Sequence, residues 1–142
     1  MEKTNERTVV AAVSLVSKAI FSVALERSEK QLILKSDRNF FRRKTGYLRT
    51  FAFLVAVAAR VFLGERDSYL VVDTEYPGHE SEIRYFTVKY LKKLFGVEFP
   101  PSRVLFEKIG KGSLAHKNAI AVFRGSAKPS RTLTAGKILN EI

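Results

Sequence analysis

The segment that decides the fold, residues 69–80, reads YLVVDTEYPGHE. A short apolar run ends in two acids, and a Pro-Gly turn signal, a histidine and a third acid follow. Apolar strands of α/β proteins present polar functional groups at the carboxyl end, where the sheet opens into a crevice. We therefore predict a strand over residues 69–73 that ends at Asp73. Alternation along an extended chain predicts that Glu75 shares a face with Asp73.

These acids are candidates for a metal site or a catalytic site. The chain contains no cysteine, so disulfides and thiolate ligands are excluded and any metal must be held by oxygen or imidazole. We predict Asp73, Glu75 and Glu80 as ligands of Mg²⁺ or Mn²⁺, and Asp73, Glu75 and His116 as candidate catalytic residues. An alternative stays open, in which Asp73 and Glu75 belong to a turn and pair with surface lysine or arginine.

The amino-terminal part of the chain predicts an antiparallel meander. Strands are expected over residues 9–16, 20–25 and 31–35, with a charged turn over residues 26–30. The run 9–25 is long enough to suggest a membrane span, but Lys18 and three serines interrupt it, so we expect no stable membrane association. The first seven residues are mixed in charge and do not look like a cleavable signal, which favours a cytoplasmic protein.

The remainder of the chain alternates between helices and strands. Helices are predicted over residues 40–63, 81–95 and 114–123, and a fifth strand over residues 103–109. Residues 126–142 look like a basic tail with a little helix at the end. With 142 residues the chain is most simply one domain. The predicted class is α/β with one mixed sheet.

This order of elements resembles the ribonuclease H-like superfamily, and within it the archaeal single-strand DNA exonucleases. The local match is best at residues 72–76, VDTEY, where such enzymes carry a metal-binding aspartate at the end of the fourth strand. The segment 37–60 resembles the first long helix of the family in position, and residues 109–121 resemble its last strand, loop and helix. The resemblance implies a ribonuclease H-like mixed sheet and metal-dependent cleavage of nucleic acid.

The chain departs from that family at most of its carboxylates. The first strand normally carries a central acid, and residues 9–16 offer only Ser14. The last helix normally carries an acid, and this chain has His116, Lys117 and Asn118 there. Only Asp73 carries over directly. Two-metal catalysis needs several carboxylates, so the sequence is more consistent with one metal or with none.

The charge of the chain points to a polyanionic partner. Lysine and arginine number 25 against 14 acids, which gives a formal charge of +11. Basic residues cluster near Phe40, Phe41 and Tyr47, whose rings could stack on unpaired bases. The alternative, a solvated helix face whose aromatic residues belong to the core, stays open. Gly110 to Ser113 resembles an anion-binding turn, although an ordinary serine N-cap explains it almost as well. The predicted nucleic-acid-binding residues are Arg38, Arg42, Arg43, Lys44, Arg49, Lys111 and Lys117.

Two functions follow from the sequence. The first is a nucleic-acid-processing protein that hydrolyses phosphodiesters with a metal at Asp73 and Glu75. The second is a nucleic-acid-binding module without catalysis on a degenerate ribonuclease H-like fold. The acidic residues in a basic chain favour the first function, and the missing family carboxylates favour the second.

The basic cluster at residues 42–44 yields a direct test. Replacing Arg42, Arg43 and Lys44 together with alanine should weaken nucleic-acid binding for every sequence, because cations contact the shared phosphates. The slope of log affinity against log salt should flatten by roughly 0.7–0.9 for each lost phosphate contact. Fluorescence anisotropy over a salt series measures both quantities, and an unchanged slope would show that this cluster is only solvated.

Overall fold

A computed structural model of the protein describes residues 7–14, 19–35, 46–63, 69–108 and 113–141. These residues form a mixed α/β structure, as the sequence predicts. A one-turn 3₁₀ helix, Pro101–Arg103, precedes the fourth strand. The elements in chain order are β1 Thr8–Val13, β2 Ile20–Leu25, α1 Arg27–Leu34, α2 Gly46–Arg60, β3 Leu70–Asp73, α3 Glu80–Phe95, β4 Val104–Glu107, α4 Leu114–Phe123, β5 Arg131–Leu133 and α5 Ala135–Glu141.

The first sheet has the strand order β1-β2-β5. β1 runs antiparallel to β2, and β5 runs parallel to β2. Every residue from Ser22 to Leu25 is buried, as expected for a central strand that is covered on both faces. Ser22 and Ser130 tie the sheet to the loop before β5, because each backbone N–H donates to the other hydroxyl, at 2.9 and 3.1 Å.

The second sheet consists of β3 and β4, which pair in parallel. Parallel neighbours need a crossover, and α3 supplies it. Val72 and Val104 are buried in the core, whereas Val71 and Leu105 are more than a third exposed. The pleat therefore gives this sheet one core face and one open face.

Helix α2 fills the space between these parts. Its sequence, GYLRTFAFLVAVAAR, is apolar nearly all round, and every residue from Thr50 to Ala59 is buried. A helix of this kind must be covered on more than one side. It packs against β1, β2 and α3, and the ring of Phe53 lies 5.4 Å from that of Tyr90 on α3.

Helix α3 has the end signals that the sequence predicts. Glu80 and Glu82 lie in its first turn and Lys92 and Lys93 in its last, where each charge complements the helix dipole. Gly96 ends the helix at φ +68°, in the left-handed region. Its N–H donates to the Lys92 carbonyl at 2.9 Å, which satisfies a carbonyl of the last turn.

Most predicted elements are confirmed within the described residues. The strand over residues 20–25 and the helix over 114–123 have the predicted bounds, and β1, β3, α3 and β4 differ from theirs by a few residues. The predicted helix over 40–63 is observed as Gly46–Arg60, while its residues 40–45 lie outside the described part, as do 15, 16 and 109. The apolar run 9–25 contributes two strands. In the described ranges, no helix is long and apolar enough to cross a membrane.

The predicted third strand, residues 31–35, is wrong. Residues 27–34 form helix α1, and the predicted charged turn over 26–30 is its beginning. A short apolar run cannot by periodicity alone be assigned to a strand or a helix. Here the flanking residues decide, since Arg27 to Gln31 contains helix formers and neither glycine nor proline. The antiparallel meander is therefore absent from the described chain, which shows a two-stranded hairpin instead.

The first sheet is mixed, as predicted, but the prediction of one sheet is wrong for the described residues, which form two sheets. The neighbour of β2 opposite β1 is β5, not a strand over residues 31–35. With that segment helical, β3 and β4 have no other partner among the described strands and pair with each other around their own crossover helix.

The basic tail 126–142 was predicted to be mostly loop, and only the helix at its end is confirmed. Residues 131–133 form β5, and helix α5 packs against α1. The Ala135 N–H donates to the Glu29 carboxylate at 3.0 Å, which connects α5 to α1. Three residues are too short a run to give a strand signal, and the pairing with β2 comes from the tertiary fold.

Because β5 belongs to the core, substitutions at two neighbouring residues of the tail should change the free energy of unfolding by different amounts. Leu133 is 2% exposed, whereas Thr132 is exposed and faces the other way. Leu133→Ala should lower the free energy of unfolding by about 2–5 kcal/mol, because it removes buried methyl groups and leaves a cavity. Thr132→Ala should change it far less. Urea unfolding followed by circular dichroism measures both, and equal small effects would contradict the placement of β5 in the core.

Candidate functional site

The carboxyl ends of β3 and β4 bring two acids into register. Asp73 is paired with Glu107 as the last residue of each strand, and paired residues of parallel strands point to the same face. That face is the open one, since Val71 and Leu105 precede them on it and are exposed. Glu107 was not among the predicted site residues. The strand over residues 103–109 was predicted to continue past Glu107, so the signal that identified Asp73, an acid at the end of an apolar strand, was missing for it.

Glu75 does not share a strand face with Asp73, so this prediction is wrong. β3 ends at Asp73, and the Glu75 N–H donates to the Asp73 carbonyl at 2.8 Å, which turns the chain. The Thr74 N–H donates to the Glu107 carbonyl at 3.0 Å and holds this turn against β4. Alternation stops where the chain leaves the extended conformation, and Glu75 lies exposed just beyond the two strand ends.

Glu80 and His79 lie at the amino-terminal end of α3 and interact with residues there. The Gly78 N–H donates to the Glu80 carboxylate at 2.8 Å, and Gly78 adopts φ +87° in the turn that Pro77 opens. His79 Nδ1 lies 2.9 Å from Glu82 Oε1. Both side chains therefore interact locally with the helix end. Among the described residues, no group of three or more histidines and acids is arranged to hold a metal ion.

Tyr76 fixes the position of this acidic loop. Its ring lies 5.4 Å from that of Tyr47 and 5.1 Å from that of Phe51, both in the first turns of α2. Edge and tilted contacts at these distances are favourable for aromatic pairs. The loop that carries Glu75 is thereby attached to the amino-terminal end of α2, the element that follows residues 36–45 in sequence.

His116 belongs to a different part of the fold from the strands that carry these acids. It occupies the first turn of α4, and its backbone N–H donates to the Ser113 hydroxyl at 3.1 Å, so Ser113 is a helix N-cap. Helix α4 packs against β1 and β2, whereas Asp73 belongs to the other sheet. The N-cap alternative for Ser113 is confirmed, and Lys111 in the same segment lies outside the described residues.

Arg49 was predicted to bind nucleic acid, and the structure places it in the packing between α2 and α3. Its guanidinium lies over the Phe86 ring, 4.5 Å from the centroid. Burial raises the pKa of Tyr90 to about 12, and the nearby Arg49 charge partly offsets that rise. Arg49 thus contributes to the core, as long cationic side chains often do through their apolar stems.

Unlike Arg49, the described cations of the carboxyl-terminal part do not pack between α2 and α3. We call Lys117, Arg124, Lys128, Arg131 and Lys137 the C-terminal basic residues. All are exposed except Arg131, which is half-buried, and Glu141 is the only acid between residues 113 and 141. In this part of the described chain none of the five forms an ion pair. The other predicted binding residues, Arg38, Arg42, Arg43 and Lys44, lie outside the described residues.

Comparisons of the chain with protein-family models, with characterised proteins and with solved structures find no match.

The buried Tyr90 predicts a pH-dependent stability. Its pKa is about 12 in the folded protein against 10 ordinarily, so folding favours the neutral phenol. The stabilisation is fully present below pH 10 and is lost as the pH rises from 10 through about 12. Urea unfolding over this range should show a steeper loss of stability for the wild type than for Tyr90→Phe.

Tyr85 provides the control, because it lies on the same helix and is 62% exposed. Tyr85→Phe should keep the wild-type pH profile. If Tyr90→Phe and the wild type lose stability in parallel, burial of the Tyr90 hydroxyl does not govern the alkaline transition.

Proposed function

We propose that this protein binds nucleic acid through the C-terminal basic residues. The observation that carries the proposal is their distribution: five cations against one acid over residues 113–141, all at least partly exposed. A chain with a formal charge of +11 attracts a polyanion, and the phosphate backbone supplies closely spaced negative charge.

Cations elsewhere in the described chain are more often engaged within the protein. Arg7 pairs with Glu26, and Lys92 pairs with Glu98. Arg84 donates to the Val104 carbonyl and lies over the Phe106 ring. Their charge is partly used in holding the fold together, which leaves the C-terminal basic residues as the better candidates for a ligand.

The connection between α4 and β5 groups three of these cations within a short stretch. Arg124 ends α4, Lys128 lies in the connecting loop and Arg131 begins β5. Phe123, next to Arg124, is 39% exposed. An exposed ring beside cations is the combination that binds unpaired strands, because the cations contact phosphates and the ring stacks on a base. We therefore favour single-stranded nucleic acid, bound with little dependence on sequence.

A triple substitution tests the surface against a control of equal charge. Replacing Arg124, Lys128 and Lys137 with alanine should lower affinity and flatten the salt slope by roughly 0.7 for each lost contact to a single strand. The control replaces Lys89, Lys92 and Lys93, which are exposed on α3, and removes the same charge. Fluorescence anisotropy over a salt series measures both variants.

The two variants distinguish direct contacts of the C-terminal basic residues with phosphate from a general attraction by the net charge of the protein. If the control weakens binding as much as the triple substitution does, net charge alone accounts for the affinity and the proposed surface is wrong. Phe123→Ala should weaken binding to a single strand and leave duplex binding nearly unchanged, since paired bases are not free to stack on it.

A second candidate function is metal-dependent phosphodiester hydrolysis, favoured by the register of Asp73 and Glu107. Mg²⁺ commonly binds through one or two carboxylates, keeps several waters and takes substrate phosphate as a further ligand. Two acids at adjacent strand ends suit such a site, and Glu75 lies in the next turn. A bound cation would activate a water and stabilise charge on the phosphate. The ribonuclease H-like resemblance supports only Asp73 here.

Substitution of the paired acids tests this second candidate. Asp73→Asn and Glu107→Gln should each abolish Mg²⁺- or Mn²⁺-dependent degradation of labelled strands, while binding stays intact or strengthens because a negative charge is removed. Glu75→Gln should reduce the activity less. Degradation that survives a chelator and both substitutions would exclude this mechanism, and the absence of degradation on every strand would leave binding as the function.

A further inference from the structure

The outer edge of β1 is open in the described chain. β1 stands at the end of the order β1-β2-β5, and no described strand pairs with its other side. Helices α2 and α4 both pack against β1. All six of its residues are half-buried, and the sequence TVVAAV shows no polar alternation, which is typical of a strand covered on both faces. What remains accessible is the backbone edge.

The register shows which amides lie along that edge. The Ser14 N–H donates to the Ala19 carbonyl at 3.0 Å, so Ser14 and Ala19 form a hydrogen-bonded pair. Pairs alternate along an antiparallel ladder, and residues 12, 10 and 8 therefore also direct their amides towards β2. Val9, Ala11 and Val13 direct their N–H and C=O groups outward.

This edge lacks the features that usually prevent pairing. Natural edges are short, charged, bulged or interrupted by proline. β1 has six residues without a charge, a proline or a glycine. The opposite edge of the sheet, β5, has three residues and begins with Arg131, and the strands of the second sheet have four. β1 is therefore the one described edge that is long, uncharged and rich in β-branched residues.

We propose that β1 pairs in antiparallel fashion with β1 of a second copy of this chain, so that the sheet continues through a two-fold axis. The outward backbone groups of the two copies can pair when Ala11 lies on the two-fold axis. Ala11 then pairs with its own copy in the partner, and Val9 pairs with Val13 of the partner subunit. Each of the three pairs contributes two hydrogen bonds, or about six across the interface. Facing β-branched pairs add further stabilisation.

The charge pattern favours a second copy over a foreign strand. The outward residues carry no charge that would select an acidic or a basic peptide, and their spacing is symmetric about Ala11. Like charge elsewhere opposes association, because each copy carries +11. The uncharged edge is where two such chains can meet without placing cations opposite each other. The dimer should strengthen as salt screens the repulsion, whereas nucleic-acid binding weakens with salt.

Sedimentation equilibrium of the protein without nucleic acid tests the dimer, over a range of concentrations and at low and high salt. The wild type should be a dimer whose dissociation constant falls at high salt. Ala11→Pro removes an outward N–H and leaves the bonds to β2 in place, so it should yield a folded monomer. Ala11→Ser keeps the N–H and should remain dimeric. A monomeric wild type at every concentration, or a dimeric Ala11→Pro, would overturn the proposal.

Amide hydrogen exchange of the wild type decides the matter if Ala11→Pro fails to fold. Val10 and Ala12 should be protected at all concentrations, because their amides bond to β2. Val9, Ala11 and Val13 should be protected only at concentrations where the dimer forms. Equal exchange of these three amides in dilute and concentrated samples would mean that the edge is unpaired, and would contradict the inference whatever the oligomeric state.

Discussion

The burial of helix α2 is the constraint on which the rest of the structure depends. A helix with ten consecutive buried residues, Thr50 to Ala59, cannot lie on a surface, because a single covered stripe would leave apolar side chains in water. The hairpin β1-β2 and helix α3 both pack against it. The helix is rich in alanine, which allows its neighbours to approach closely. Each of the two sheets is thus connected to α2, directly or through α3.

The packing around α2 also determines where several candidate functional residues lie. Tyr76 contacts Tyr47 and Phe51 at the beginning of α2, which fixes the loop beyond Asp73. Arg49, one turn into the helix, lies over Phe86 on α3 and takes part in the packing of the two helices. The acids end the two strands of the second sheet, whereas the C-terminal basic residues lie on α4, β5 and α5 and in the connection between α4 and β5. Binding and hydrolysis can therefore be tested separately by substitution.

The sequence predicts those elements whose signals are local. The acids, lysines and glycine at the ends of α3 fix its bounds, and the break near Lys18 separates β1 from β2. Residues 31–34 could not be assigned by periodicity, because a run of three apolar residues fits a strand and a helix equally. β5 could not be predicted either, since Arg131 to Leu133 becomes a strand only by pairing with β2. Because residues 31–34 are helical and β5 pairs with β2 instead, the predicted strand order and the prediction of one sheet are wrong as well.

The same distinction applies to the candidate site. Asp73 was found because an acid follows an apolar strand, and this signal is local. Its partner Glu107 depends on the register between β3 and β4, which the sequence does not show. Glu75 was placed by extending the alternation past the end of the strand, where the bond from its N–H to the Asp73 carbonyl turns the chain. The cations of residues 113–141 could be counted from the sequence, but their exposure and the absence of ion pairs among the described residues required the fold.

The central functional claim is that residues 113–141 contact nucleic acid. Titration of the isotopically labelled protein with an unlabelled single strand at low salt, followed by amide chemical shifts, tests it most directly. We expect the largest shifts around Phe123, Arg124 and Lys128, and we expect them to reverse when salt is added. Shifts confined to the exposed lysines of α3, or none at any ratio of strand to protein, would contradict it.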